Sequence, residues 1–215
     1  VEERVKQLRD CGQHLAAQYD GDVMNIYRQA GGYLHRQRGI LALMSEFRAY
    51  SDPIQKKSFL FLMFVSQAGI WEIKDLENLK VAVDYHIMRI ALRSEMVRVR
   101  GTLDRVLKER REVDAATDNQ VRGAVQGSCD LLVRHSGHSV FEMDSILWMM
   151  GRNCCFYEHE PICGRNVCFK EDRCTFIRSI VYDCPGKCPF DGACLGSLNE
   201  EYRKFWETNL YTAYY

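Results

Sequence analysis

The sequence predicts an all-α fold, and three observations predict it. Proline is scarce, at four of 215 residues. Apolar positions recur at helical spacing through long segments, and the strict alternation of a half-buried strand is hard to find. A chain of this length buries one substantial core, or two small lobes sharing a cleft, without needing disulfides or oligomerisation to fold.

Helices are expected over 2–19, 22–30, 39–47 and 53–66. Asp52 before Pro53 sets the start of the fourth, an N-cap acceptor followed by proline at the first helical position. The run FLFLMFV is apolar enough for a buried strand, but its length and cap favour a helix. Gly69 ends that segment, and WEIKDLENLK leads on as a polar connection. Further helices are expected over 84–94, 101–111, 119–135 and 141–150. A cysteine-rich block then replaces regular structure, and NEEYRKFWETN reads as a final amphipathic helix packed on the body. No repeat, heptad array or low-complexity linker interrupts the chain.

Lysine plus arginine equal aspartate plus glutamate, 29 each, so no global positive field draws the protein to a polyanion. Nucleic-acid binding then needs a local patch. VRVRGTLDRVLKERR offers one, with Arg98, Arg100, Arg105, Lys108, Arg110 and Arg111 against two acids, although a solvated helix face explains that run taken alone. There is no stretch of eighteen uncharged apolar residues and no basic-then-apolar leader. The expectation is a soluble, intracellular monomer of the cytoplasm, nucleoid or nucleus, without a membrane partner.

Cysteine use is lopsided. Cys154, Cys155, Cys163, Cys168, Cys174, Cys184, Cys188 and Cys194 fall within 41 residues, leaving only Cys11 and Cys129 outside. Disulfides staple small secreted domains that lack a core, whereas this chain has one. Thiolates spaced closely in loops are soft ligands for zinc or an iron–sulfur cluster. One subset, Cys155, Cys163, Cys168 and Cys174, leaves gaps of seven, four and five residues. The other, Cys184, Cys188 and Cys194, leaves gaps of three and five and needs Cys154 or Cys155 as its fourth ligand. Spacing does not choose between them.

LWMMGRNCCFYEHEPICGRNVCFKEDRC resembles the C-terminal iron–sulfur loop of the endonuclease III and MutY group of DNA glycosylases, in which a helix ends in a Gly-containing turn and four cysteines follow. The first two gaps here are longer, and CPFDGAC imitates the loop's end a second time, so Cys155 with Cys184, Cys188 and Cys194 around a 28-residue insertion is a split alternative. VAVDYHIMRIALR is similar to the segment of helix–hairpin–helix glycosylases in which an Asp caps a helix; the form with Tyr after Asp is nearest the archaeal 8-oxoguanine glycosylases. DPIQKKSFLF resembles their lysine-bearing helix. The Gly-x-Gly hairpin that precedes that helix, and offers backbone N–H groups to a DNA phosphate, is replaced here by SDPIQ.

The resemblance covers roughly 52–194 and implies a two-lobed helix–hairpin–helix glycosylase-like fold. Residues 1–38 would pack with the C-terminal lobe, 39–125 would form a central lobe carrying Lys57 and Asp84, and 126–215 would hold the cysteine loop 154–194, with substrate in the cleft between lobes. It implies a DNA repair N-glycosylase with AP-lyase activity that takes a damaged, oxidised base out of DNA, and a structural [4Fe-4S] cluster, with zinc as the alternative. Lys57, or its rival Lys56, would be the nucleophile. A desolvated amine loses its proton more readily and can attack the sugar carbon to form a Schiff base. Asp84 would stabilise the developing cation and stay ionised at a helix N-terminus. His86, Tyr85 and Trp71 are candidate substrate contacts, with a plain core role as the alternative for each. Arg152, Arg165, Lys170 and Arg173 in the cysteine loop could touch phosphates. Two other functions compete: a non-catalytic iron–sulfur or zinc module binding nucleic acid or protein, and a glycosidase acting on nucleosides or RNA.

Overall fold

The computed structural model describes residues 2–156, 161–163, 168, 174, 184 and 186–214. Among these the regular structure is helical, with one isolated parallel bridge between Glu112 and Asn209. The chain divides into two compact units, Val1–Ala82 with Tyr211–Tyr215, and Val83–Leu210. Lys57 belongs to the first unit and Asp84 to the second.

The first unit holds α1 (Glu2–Tyr19), α2 (Met24–Ala30), α3 (Ile40–Ser45) and α4 (Lys56–Gln67), with short 3-10 turns at Arg48–Tyr50 and Leu76–Asn78. Tyr19, Leu34, Ile40, Leu43, Leu62, Met63 and Trp71 fill its core. Helix α4 begins at Lys56 rather than Pro53, for a local reason. The Asp52 carboxylate accepts from the N–H of Ile54 (3.1 Å) and of Lys56 (2.9 Å), and Gln55 sits in the left-handed region at φ +57°. A residue in that conformation cannot continue a right-handed helix, so Asp52 caps a turn and the helix starts after it.

The second unit holds α5 (Tyr85–Ser94), α6 (Thr102–Lys108), α7 (Ala115–Ser136), α8 (Val140–Asn153), and two single turns, α9 (Leu195–Leu198) and α10 (Glu200–Arg203). Helix α5 is its axis: eight of its ten residues are buried, and α7, α8, α9 and α10 all pack on it. Helix α7 starts four residues before the expected 119 because Asp114 caps it, accepting from Thr117 N–H at 2.7 Å. Helix α8 opens on a capping box made by Ser139 and Glu142. The expected amphipathic helix over 199–209 shrinks to α10, after which Phe205 packs against Leu92 and Leu107.

Gly151 was expected in a turn ahead of the cysteines and instead lies inside α8. A Cβ there would stand 2.7 Å from His86 Cβ and 2.8 Å from His86 O, so this glycine lets α8 approach the α5 backbone. Gly151→Ala should force the two helices apart and destabilise the second unit by about 1–3 kcal/mol, despite alanine's better helix propensity. Urea unfolding monitored by circular dichroism checks this: an unchanged midpoint would remove the close-approach explanation.

Candidate functional site

Asp84 is 5% exposed and is the N-cap of α5. Its Oδ1 alone accepts from both His86 N–H (2.9 Å) and Ile87 N–H (3.1 Å), so the expected cap exists. His86 is buried, 4.1 Å from the Tyr85 ring centre to centre and edge-on to Trp148 at 5.9 Å. Its Nδ1 lies 3.1 Å from Arg89 Nη2. Burial, then the Arg89 charge, brings its pKa down to about 4. Tyr85 is 37% exposed, and burial, followed by the Asp84 charge, raises its phenol pKa. Of the three expected substrate contacts, His86 and Tyr85 flank Asp84, whereas Trp71 lies in the core of the first unit.

Arg89 and Arg93, one and two turns further along α5, were not singled out from the sequence. Arg89 is fully buried and donates to Cys155 O (2.8 Å), Glu207 Oε2 (2.8 Å) and Gly151 O (3.1 Å). Arg93 donates to Phe205 O (2.8 Å) and to the Cys155 sulfur (3.2 Å). Their signal was present: His86, Arg89 and Arg93 share one face of a helix whose other residues are apolar, and buried cations need partners.

Five of the block's thiols line one narrow cavity beside α5, namely Cys154, Cys155, Cys163, Cys188 and Cys194, with Arg93 in its wall. Burial first, and then Cys155, Cys188 and Cys194 as neighbouring negative charges, push the Cys163 pKa up to about 12. A hydrogen bond between Cys154 and Cys188 raises the former and lowers the latter. Cys194 Sγ lies 3.6 Å from Arg93 O. The cavity thus mixes the two subsets read from spacing: Cys155 and Cys163 from one, Cys188 and Cys194 from the other. Cys168 and Cys174 stand outside its lining but close enough to Cys154 to act on its charge, and Cys184 Sγ lies 3.9 Å from Lys187 O. Among the described residues, no three His, Cys, Asp or Glu side chains form a group that could hold a single metal ion.

In the first unit, Lys57 Nζ donates to Ala213 O (2.6 Å) and Gln7 Oε1 (3.4 Å). Burial, then the Lys56 charge, lowers its pKa. Cys11 senses the Lys57 charge and lies one turn after Gln7 on α1. The N–H groups of Ile54 and Lys56, in the turn that precedes α4, are both taken by Asp52.

Half of the basic run is paired with acids. Arg98 pairs with Glu95 (2.7 Å), Lys108 with Asp104 (3.0 Å) and Arg111 with Glu109 (3.0 Å), while Arg110 lies over the Trp206 ring at 4.2 Å. Arg152 covers the Trp148 ring at 5.1 Å; Arg165, Lys170 and Arg173 lie outside the described residues. Among the described residues no helix is long and apolar enough to cross a membrane. Comparison with protein-family models, curated proteins and solved structures gives no match.

His86 generates a pH prediction. Its folded pKa lies below the ordinary 6.5, so the unfolded chain binds the extra proton first. Stability is complete above about 6.5 and falls as pH drops toward 4, by roughly 2–3 kcal/mol in all. His86→Asn should flatten that slope in denaturation midpoints measured between pH 4 and 7; a slope equal to wild type would place the titration elsewhere.

Proposed function

We propose that the protein is a base-excising glycosidase: a DNA repair N-glycosylase with lyase activity, with Lys57 as nucleophile and Asp84 as electrostatic partner. The observation that carries this is the state of Lys57. Its amine is half-buried, its two hydrogen-bond partners are neutral oxygens, and its proton affinity is lowered by burial and by Lys56. That is what a nucleophilic amine requires. The Nζ lone pair bonds to C1′ of the nucleotide as the glycosidic C–N bond breaks, and its electron pair leaves with the base, which takes up a proton. The amine sheds a proton and the C1′–O4′ bond opens, its oxygen taking a proton, to leave an iminium. Loss of the C2′ proton with departure of the 3′ phosphate is the lyase step, and water then hydrolyses the C1′ imine to free the amine. A carboxylate at Asp84 favours the cationic character of this path.

The cysteine cavity supports an iron–sulfur cluster in this proposal. Cys155, Cys163, Cys188 and Cys194 would hold it, with gaps of seven, 24 and five residues, the last equal to that of the family it resembles. The donor set fits: soft thiols around one cavity, with the buried Arg93 cation donating to one sulfur. Such a centre orders the loop that carries it and supplies folding energy. Zinc is the alternative occupant.

A second version is favoured by one observation. Because Asp52 takes the Ile54 and Lys56 N–H groups, that turn presents its own carboxylate where a backbone phosphate would bind. A nucleoside or RNA-linked substrate, which needs no duplex grip at this point, suits that arrangement.

Two experiments test these proposals. Borohydride should trap a covalent complex on a lesion-bearing strand or nucleoside, because only an amine nucleophile leaves a reducible imine. Lys57→Gln should abolish trapping, and Asp84→Asn, which keeps the Oδ1 cap, should cut turnover by orders of magnitude with little change in melting temperature. Loss of trapping only in Lys56→Gln would move the nucleophile by one residue; full activity of Asp84→Asn would leave that residue a cap. Separately, anaerobic protein should be brown with about four irons per chain, and Ser at Cys155, Cys163, Cys188 or Cys194 should bleach it more than Ser at Cys168, Cys174 or Cys184. Colourless protein with stoichiometric zinc would replace the cluster by a zinc staple.

A further inference from the structure

The first unit contains a second cavity that none of the chemistry above uses. It is open to solvent on one side, measures about 120 Å³, and its walls include Phe47, Tyr50, Phe61 and Trp71, with Cys11 and Met44. The aromatic walls are braced. Trp71 stacks on Tyr27 at 5.3 Å and donates its Nε1–H to Met24 Sδ at 3.0 Å. Phe61 stands edge-on to Trp71 (5.3 Å, 81°) and to Tyr50 (6.3 Å, 70°). An unfilled apolar void costs stability in proportion to its volume, and rings held apart in this way do not collapse into it.

Size decides what fits. An apolar cavity of about 150 Å³ admits benzene, so about 120 Å³ takes one aromatic ring and is too small for a fused pair. Chemistry narrows it further. Tyr50 Oη and Cys11 Sγ are polar groups on the wall, and neither makes a hydrogen bond among the described residues. The guest that suits them is a flat ring with hydrogen-bonding edges. Position supplies the last constraint. On α4, Phe61 follows Lys57 by one turn; on α1, Cys11 follows Gln7, whose Oε1 is 3.4 Å from Lys57 Nζ. Residues four apart share a helix face, so both helices run from the Lys57 amine to the cavity wall.

We propose that this cavity is the base pocket and that it selects a single-ring, pyrimidine-type base over a purine, with the Tyr50 hydroxyl as its hydrogen-bonding hand. This rests on the glycosidase function proposed above. The test uses the full chain and free bases, so that binding and catalysis are read separately. Saturation-transfer NMR should show thymine and 5-hydroxyuracil bound at least tenfold more tightly than guanine or 8-oxoguanine. Tyr50→Phe should weaken the pyrimidines by about tenfold, the loss of one buried hydrogen bond, and Met44→Phe, which fills the space, should abolish binding. Equal or tighter binding of the purines, or undiminished pyrimidine binding in Met44→Phe, overturns the pocket. Pyrimidine binding without borohydride trapping on any substrate would keep the pocket and sink the glycosidase. Trapping on a purine lesion at an unchanged rate in Met44→Phe would keep the glycosidase and sink the pocket.

Discussion

A fully buried guanidinium organises the second unit. Arg89 holds the carbonyl of Cys155, the carbonyl of Gly151, the carboxylate of Glu207 and the ring of His86. A charge taken out of water is costly unless its donors are all met and a counter-ion is close. This one has a carboxylate at 2.8 Å and two main-chain oxygens. Those partners come from α5, from the end of α8 running into the cysteine block, and from the stretch after α10, so one side chain fixes three segments far apart in sequence. Apolar packing alone would tolerate small slides between α5 and α8; a forked donor with this many acceptors does not. Gly151 makes the grip possible by bringing the two backbones together.

Much of this was legible in the chain. The helices showed because their apolar periodicity and their caps are local properties, and Asp84 was readable as an N-cap for the same reason. The misses have a common cause. Gln55 adopts a left-handed conformation that its residue type does not advertise, so the start of α4 shifted. Gly151 looked like a turn because its reason, contact with His86, comes from 65 residues earlier in the chain. The cysteine spacing offered two loops, whereas the cavity draws on both, with Cys188 and Cys194 beside Cys155 and Cys163. Sequence separation alone is a poor guide to which thiols stand together.

The first unit joins two features. Burial lowers the pKa of its lysine, while the turn before it carries a carboxylate satisfied by two backbone N–H groups. The anion that such a turn could have bound from solution is supplied by the protein itself. Under the proposed function, recognition would fall to shape and apolar contact in the aromatic cavity rather than to a phosphate grip, in keeping with a chain whose opposite charges balance.

The segment over 211–215 belongs to the first unit although 128 residues of the second intervene. On a ribosome adding about 5–20 residues per second, with earlier parts folding first, the helices around Lys57 emerge roughly 6 to 26 seconds before Ala213 does. For that interval the amine lacks the carbonyl that later accepts its hydrogen bond. Synthesis order thus makes the lysine's hydrogen bonding one of the last details of the first unit to mature, set by translation speed as well as by equilibrium.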